Sequence, residues 1–340
     1  MRSSSRAGPV AGVDDGPHFH TMSQVEPAVS GRRFRRVAVT TTVLTYLLVT
    51  AGAIVRVTGA GMGCPDWPKC FGLIVPPTSL AELPPLGSYS YPPGWRVESF
   101  DPLMTWIEYV NRLLGVLVGV AILVTLIVAV IDFRRRRSVL LPTIAAFVGV
   151  LVAGGLGARV VAHELAPWMV TVHLGSAIVV VSCLVIAVIN ASWEPVENPT
   201  PGQRLAARST VIVGLLALVQ GGLGTQVRGL IEDLARHRPT LPRADLVNSV
   251  GLLDLLHKNL AMVVAAGAVM VLFIFRAQVR SQTAAVRAAL LAALLALAQV
   301  AIGSVLATMA LPKTFQVLHL LVAALFLGAL SAAGMLARRT

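Results

Sequence analysis

The sequence predicts an all-α membrane protein with eight transmembrane helices. Eight apolar runs in the chain reach about 20 residues, the length that an α-helix needs to cross the hydrocarbon core. The 340-residue chain is 56% hydrophobic and only 13% charged, with a mean hydropathy of +0.77, which is unlike a water-soluble domain. Lys and Arg gather in short blocks between the runs. A transmembrane barrel would show strict alternation of apolar and polar residues instead.

The apolar runs, which we call spans 1 to 8, follow one another with mostly short connections. They cover residues 37–57, 103–131, 139–160, 167–191, 208–228, 251–275, 284–309 and 313–336. Four connections fall on one side of the membrane, at 58–102, 161–166, 229–250 and 310–312. The loop 58–102 is much the longest, and long loops are where function is expected.

Basic blocks fix the expected orientation. They alternate with the four connections just named, and they are GRRFRR (31–36), DFRRRR (132–137), QRLAAR (203–208), FRAQVR with AAVR (275–287) and ARR (337–339). The positive-inside rule then puts both termini in the cytoplasm and the loop 58–102 outside. The net charge of +12 is an orientation signal in this interpretation, and nucleic-acid binding is not expected. Residues 1–34 are polar and are expected to form a disordered cytoplasmic tail.

The last four spans repeat the first four. In spans 1 and 5, AGAIVRVTGA from Ala51 lies over GGLGTQVRGL from Gly221, sharing two glycines and a valine. We therefore expect two four-helix halves, 35–191 and 208–338, joined by a cytoplasmic linker at 192–207.

Spans 2 and 6 match more closely, with IEYVNRLLGVLV (107–118) over LDLLHKNLAMVV (253–264). Spans 4 and 8 match around a histidine, in TVHLGSA and VLHLLVA. The resulting pairs of polar residues are Glu108 with Asp254, Asn111 with His257, Arg112 with Lys258, and His173 with His319. Polar side chains in hydrocarbon are costly unless satisfied, so they usually face the bundle interior and mark function.

Four of these residues predict a haem site. Asn111, His173, His257 and His319 each lie roughly 10 Å inside the outer end of their spans, at 1.5 Å per residue. Imidazole is the usual axial ligand of haem iron, and facing helices can hold a porphyrin between them. Zinc would require a tetrahedral set with nearby Cys or carboxylate ligands. We therefore expect one haem between His257 and His319, and a related pocket between spans 2 and 4 with His173 as its one strong ligand.

At these residues the sequence resembles the haem A synthase family, of the Cox15/CtaA type. The resemblance covers about residues 35–338, and its most specific part is TGAGMGCPDWPKC within VRVTGAGMGCPDWPKC (55–70). It implies oxidation of a ring methyl group of haem O (position 8) to a formyl group, which gives haem A for the terminal oxidase. It also implies a resident haem b in the C-terminal half, the substrate haem in the N-terminal half, and a catalytic Glu108. The family is expected to carry histidine where this chain has Asn111.

The charged residues near the pockets have two interpretations each. Glu108 would stabilise positive charge or accept protons beside the porphyrin, or else form a structural ion pair with Arg112 four residues later. Asp254 is expected to be structural. Arg56 and Arg228, at matching positions of spans 1 and 5, would bind haem propionates or snorkel to the interface. Arg112 has the same two alternatives.

Cys64 and Cys70 lie in the first outer loop with five residues between them. Disulfides persist on the oxidising side of a membrane, and the loop contains no histidine, so a disulfide is favoured over a zinc pair. The resemblance links this cysteine pair to redox supply, while a structural staple is an equal alternative on chemistry alone.

The sequence therefore predicts a multi-pass enzyme of the cell membrane, with haem sites near the outer face. Its cofactor would be haem b and its substrate haem O. Other expected partners are haem A, membrane lipid and an electron acceptor that the sequence does not name. A haem O synthase, cytochrome oxidase assembly factors and a second copy of the chain are further candidates. The alternative function is a bis-histidine cytochrome b that only carries electrons. A transporter is disfavoured, because the glycines cluster at the outer ends of the spans and not at mid-span.

Overall fold

The computed structural model describes residues 27–85, 87–91 and 96–339, and over these residues the protein is helical, with no strand longer than an isolated bridge. Eight long helices are each apolar enough to span a membrane, so the predicted fold class is confirmed. They are α1 Pro27–Thr58, α2 Pro102–Phe133, α3 Arg137–Ala162, α4 Pro167–Ser192, α5 Pro201–His237, α6 Leu252–Gln278, α7 Thr283–Thr308 and α8 Lys313–Leu336. A short helix, Arg243–Asn248, lies between α5 and α6.

Two expected boundaries differ from the structure. The tail was expected to reach residue 34, but α1 begins at Pro27, so residues 27–34 are helical; residues 1–26 lie outside the described residues. The linker expected at 192–207 is confined to 193–200, because α5 begins at Pro201. Thr200 caps α5 there, since its hydroxyl accepts from the Gln203 amide while the Gln203 side chain accepts from Thr200 N–H. Both early turns are polar, and a search for apolar runs does not detect them.

The helices of each half pack as a ring. α1 contacts α2 and α4, and α3 lies between α2 and α4; in the second half α5 contacts α6 and α8, and α7 lies between them. The halves meet where α8 packs against α1 and α4, and where α4 packs against α5. The order of neighbours is therefore the same in both rings, as a duplicated sequence requires.

The turn between the third and fourth helix also repeats. After α3, Glu164 and Leu165 have φ angles of 49° and 62°; after α7, Ala310 and Leu311 have φ angles of 54° and 62°. Non-glycine residues seldom adopt this left-handed region, so the same pair of conformations at two corresponding places is unlike chance. The repetition extends from the order of the helices to the backbone angles of their connections.

Small residues permit close contact between the halves. A side chain at Gly328 in α8 would meet the Tyr46 hydroxyl of α1 and Val185 of α4. Gly229 in α5 similarly faces Pro167 at the start of α4. Lipid tails are as apolar as leucine, so helices in a membrane associate through such close packing and not through the hydrophobic effect.

This packing predicts that Gly328→Ala lowers the stability of the protein in detergent or nanodiscs. The added methyl group overlaps Tyr46, and overpacking of this kind costs about 1–3 kcal/mol in the free energy of unfolding. Thermal or denaturant unfolding followed by circular dichroism would measure the change. Gly175→Ala is the matched control, because no atom lies within 4 Å of a Cβ there. Equal stability of the two variants would show that the contact with Tyr46 does not limit helix packing.

Candidate functional site

Each of the four repeat-related pocket residues lies against a glycine of the preceding helix. The distance from an ideal Cβ on that glycine to the nearest side-chain atom shows how close the contact is. The pairs are Gly52 with Asn111 (3.9 Å), Gly157 with His173 (3.5 Å), Gly224 with His257 (2.9 Å) and Gly303 with His319 (3.5 Å). A larger residue at any of the four places would crowd the pocket side chain.

The glycine pairs correct one alignment made from the sequence. Gly52 and Gly224 face equivalent side chains, so they are the equivalent positions of α1 and α5. Arg56 and Arg228, each four residues further on, are then equivalent as expected. The superposition of Ala51 on Gly221 was wrong by two residues. Glycines are common in membrane helices, and only the side chain across the helix interface shows which of them correspond.

His173 is held in one orientation by the helix before it. Its Nδ1 lies 3.1 Å from the carbonyl oxygen of Ala153 in α3, and only a protonated Nδ1 can donate to that oxygen. The lone pair of the ring is then on Nε2. A hydrogen bond of this kind, from the nitrogen that does not bind metal to a carbonyl, typically orients a metal-binding histidine.

The second pair of histidines sits among buried polar atoms that have no partner. Nδ1 of His257 lies 3.0 Å from the Gln220 amide nitrogen, and the other amide atom of Gln220, its oxygen, is buried and unpartnered. Nδ1 of His319 and Oδ1 of Asn111 are also buried, and neither has a partner within the described parts of the chain. Such atoms are costly in hydrocarbon, so their presence at the pocket positions fits a ligand with polar atoms.

A metal site made by the protein alone does not fit these residues. Within 27–85, 87–91 and 96–339, no three His, Cys, Asp or Glu side chains come together as a possible metal cluster. The zinc alternative therefore has no ligand set in the part of the chain that the structure describes. Imidazoles lying singly on facing helices suit an iron porphyrin, which supplies four nitrogen ligands of its own.

Glu108 is buried and contacts the long loop between α1 and α2. It is 4% exposed, and its Oε2 accepts from the backbone N–H of Cys64 at 2.7 Å. Its Oε1 accepts from Arg112, so the ion pair that the sequence left open is present. The same guanidinium donates to three backbone carbonyls of the loop, those of Cys64 (3.1 Å), Asp66 (2.6 Å) and Lys69 (2.9 Å). Glu108 and Arg112 together hold the loop against α2.

The loop segment they hold is closed by the Cys64–Cys70 disulfide, with the two Cα atoms 4.8 Å apart. The predicted disulfide is confirmed. Both cysteines are used in it, so neither is left as a thiolate ligand for zinc. Both cysteines are fully buried. Inside the segment, the carboxylate of Asp66 accepts from the N–H groups of Phe71 and Gly72, at 2.6 and 2.8 Å. Burial raises the pKa of the neighbouring Tyr89 phenol, and the charge of Asp66 raises it further.

Gly63 allows the segment to touch the start of α2. A Cβ on Gly63 would lie 2.6 Å from the carbonyl oxygen of Met104, and the Thr105 hydroxyl donates to Gly63 O at 2.9 Å. These contacts explain four residues of GMGCPDWPKC. Gly63 allows close approach to α2, Cys64 and Cys70 close the segment, and Asp66 stabilises its turn.

The second half has the equivalent charge pair without a disulfide segment. Asp254 binds Lys258, and the Lys258 side chain is 51% exposed, whereas that of Arg112 is 12% exposed. This contact agrees with the expectation that Asp254 is structural.

Arg56 and Arg228 meet at a carboxylate that the sequence analysis missed. Both donate to Glu232 of α5, at 2.9 and 2.8 Å, and all three side chains are partly buried. Glu232 was overlooked because span 5 was expected to end at residue 228, whereas α5 continues to His237. Neither arginine is a simple interfacial side chain, because each has a specific ionic partner. Glu232 binds Arg228 within α5 and binds Arg56 across the contact between the two halves.

The loop contacts predict the effect of removing the guanidinium. Arg112→Ala deletes three hydrogen bonds to the segment 64–70, and each is worth about 1 kcal/mol. We expect amide exchange of this segment to accelerate by about 10- to 100-fold, and trypsin to cut faster after the exposed Lys69. Lys258→Ala is the matched control and should change neither rate. Unchanged exchange in Arg112→Ala would mean that the disulfide alone holds the segment.

Comparisons with known proteins give one family and several relatives. A family model, COX15-CtaA, described as "Cytochrome oxidase assembly protein", matches residues 35–331. Among similar curated proteins, "Heme A synthase" of Granulibacter bethesdensis is 28% identical over 57% of this chain and 58% of its own length. "Heme A synthase" of Shewanella oneidensis is 28% identical over 53% of this chain and 50% of its own length. That of Alkalihalophilus pseudofirmus is 26% identical over 47% of each. The chain thus spans about half the length of the curated relatives it matches.

Proposed function

Because the chain belongs to the COX15-CtaA family, we propose that it is a haem A synthase, which oxidises a ring methyl group of haem O to the formyl group of haem A. One observation carries the proposal. The two halves place equivalent side chains against equivalent glycines, yet one half offers two imidazoles and the other an imidazole and an amide. This difference fits an enzyme that keeps one haem and exchanges another.

The C-terminal pocket would hold the resident haem b. His257 and His319 would hold its iron, and the buried amide of Gln220 would orient His257 through Nδ1. Bound there, haem b supplies one-electron transfer. Gly224 and Gly303 leave the space in which the two imidazole rings stand.

The N-terminal pocket would take haem O. His173 would bind the iron through Nε2, because Nδ1 already donates to Ala153. Asn111 is a poor axial ligand, so the substrate would be tied to the protein by one strong bond. A haem with one strong ligand can leave after reaction, and its second face is open to a small molecule.

Glu108 would act as a fixed acidic group beside the substrate haem. It precedes Asn111 by three residues and therefore lies on the same side of α2. Arg112 and the Cys64 N–H already bind its two oxygens, so the carboxylate is held in one orientation. A preorganised charge of this kind stabilises positive charge that develops during oxidation of the methyl group. Arg112 then acts through Glu108, and the disulfide-closed segment supports both.

Arg56 and Arg228 are proposed to bind haem propionates. Each lies one helical turn beyond the pocket glycine of its helix, Gly52 or Gly224, toward the end of the bundle that carries the long loop. A guanidinium has five N–H donors, and Glu232 uses one donor of each arginine. The remaining donors can bind carboxylates above the two pockets.

The alternative, a cytochrome b that only carries electrons, accounts for His257 and His319. It gives no role to the loop-anchored Glu108 or to the pocket with one imidazole, so the synthase is favoured. We place the enzyme in the cell membrane with its pockets near the outer face. An unidentified electron acceptor is required, because converting a methyl group to an aldehyde removes four electrons. Haem O synthase, oxidase assembly factors and a second copy of the chain are proposed partners.

Expression together with a haem O source, in a host that lacks haem A, tests the function. Wild-type protein should accumulate formyl haem, detected as its pyridine haemochrome. Glu108→Ala and His173→Ala should reduce the yield by at least about 100-fold, as expected for loss of one electrostatic or ligand group. Asp254→Ala, the counterpart of Glu108, is the matched control and should retain most of the yield.

Two outcomes would contradict this assignment in different ways. Wild-type protein that contains only haem b would favour the electron carrier. Normal formyl haem in both Glu108→Ala and His173→Ala would leave the reaction in place but remove the assigned site.

The resident haem can be tested without turnover. Gly224→Val adds side-chain atoms where a Cβ alone lies 2.9 Å from the His257 ring, so the imidazole must move. We expect the haem b to protein ratio to fall several-fold, and the low-spin absorption typical of two imidazole ligands to be lost. Gly214→Val is the control, since a Cβ at that position meets no atom within 4 Å. Full haem b occupancy in Gly224→Val would exclude His257 as a ligand.

A further inference from the structure

An apolar groove between α1 and α2 adjoins the N-terminal pocket. Its volume is about 310 Å³, and its walls include Ala51 of α1 and Trp106 and Asn111 of α2. Ile54 and Val110 also line it and are 43% and 45% exposed, so the groove opens on the surface of the bundle. In a membrane this surface faces lipid.

Two residues of the groove wall each carry a buried polar atom that has no partner among the described residues. They are Oδ1 of Asn111, an acceptor, and Nε1 of Trp106, a donor. Water is absent from hydrocarbon, so polar atoms at this depth need a partner from protein or ligand. A purely hydrocarbon occupant would leave Asn111 unsatisfied. The groove surface is almost entirely apolar, so its occupant is an apolar chain, and a hydroxyl group on that chain would supply the partner that Asn111 lacks.

The size of the groove excludes the porphyrin itself. About 310 Å³ is at the lower end of the volumes that hold small molecules, enough for a chain but not for a haem ring. Asn111, however, occupies the position that is equivalent to His257, so it belongs to both the pocket and the groove. The groove therefore adjoins the N-terminal pocket, and a substituent of a haem bound there would enter it.

The residues of α5 and α6 that correspond to the groove residues differ from them in type and in contacts. The counterparts of Trp106 and Asn111 are Leu252 and His257. The counterpart of Ile54 is Gln226, whose amide donates to the Thr171 hydroxyl of α4 at 2.7 Å. That position is thus used for contact between the halves and not for a lipid-facing groove.

We propose that the groove binds the hydroxyethylfarnesyl group of haem O, with the Asn111 amide oxygen accepting a hydrogen bond from its hydroxyl. This inference rests on the proposed function and adds a substrate-specificity site to it. Haem O carries this group where protohaem carries a vinyl group, so the groove would distinguish the substrate from the resident type of haem. It also gives the asparagine a role that histidine in the same place would not fill.

The membrane decides which part of the group is recognised. An isoprenoid chain gains little free energy when it moves from lipid into an apolar groove, because both surroundings are hydrocarbon. The hydroxyl gains more, since its alternative is an unpartnered polar group in lipid. Asn111 should therefore set the preference for the hydroxyl, and the shape of the groove should orient the chain.

Titration of the purified holoprotein in nanodiscs, with the resident site already filled, tests this. Three haems separate the two parts of the group: haem O has both hydroxyl and chain, haematohaem has hydroxyethyl groups without the chain, and protohaem has neither. Absorbance changes that disappear in His173→Ala report binding to the N-terminal pocket. The measured quantity is the ratio of each affinity to that of protohaem.

Asn111→Leu should lower the ratios for haem O and haematohaem by about three- to tenfold, the effect of one hydrogen bond in a membrane. Ala51→Phe, which fills the groove, should lower the ratio for haem O alone. Leu223→Phe, at the counterpart of Ala51, is the matched control and should change neither ratio.

Unchanged ratios in Asn111→Leu or in Ala51→Phe would overturn the proposal, and the groove would then be a seat for a lipid acyl chain. The proposed function would stand in that case if wild-type protein still binds haem O through His173. Absence of any His173-dependent binding of haem O to the wild type would overturn both.

Discussion

Polar groups within hydrocarbon must be paired, and this constraint organises the whole molecule. Glu108 lies 4% exposed in a helix that is otherwise strongly apolar, and it is stable there because Arg112 and a loop N–H bind its oxygens. Arg112 in turn has donors left over, which three loop carbonyls accept. These contacts therefore connect Glu108, through Arg112, to the segment closed by the disulfide. A charged residue in the membrane thus determines where the outer loop lies.

The same constraint distinguishes polar groups that are already paired from polar groups that have no partner among the described residues. Arg56, Arg228 and Glu232 have each other, and Asp254 has Lys258. At the pocket positions, by contrast, Asn111 and His319 keep buried atoms without a partner. Four side chains at corresponding places lie against four glycines, but the two halves present different chemical groups there.

The sequence predicted those parts of the structure that depend on composition and spacing. Eight long apolar runs sufficed for the spans, and the pairing of Asn111 with His257 and of His173 with His319 could be read by superposing the halves. The polar first turn of α5 and the extension of α5 beyond residue 228 could not be predicted in this way, because neither segment is apolar. Glu232 was lost with that extension. The glycines opposite the pocket residues were also missed, because the amino-acid sequence alone does not show which residues of two helices are in contact.

The disulfide segment covers only the half that would exchange its haem, and a physical reason follows from the contacts. In the second half two imidazoles would fix the cofactor, so Asp254 and the half-exposed Lys258 can form an ion pair without affecting its position. In the first half only His173 would bind the iron, and the orientation of the substrate must come from elsewhere. A carboxylate clamped by Arg112 and by the backbone of Cys64 provides a reference point that does not leave with the product. The covalent closure at Cys64 and Cys70 keeps that backbone in place. Weak ligation of a substrate and rigid support of the group beside it are therefore two parts of one solution.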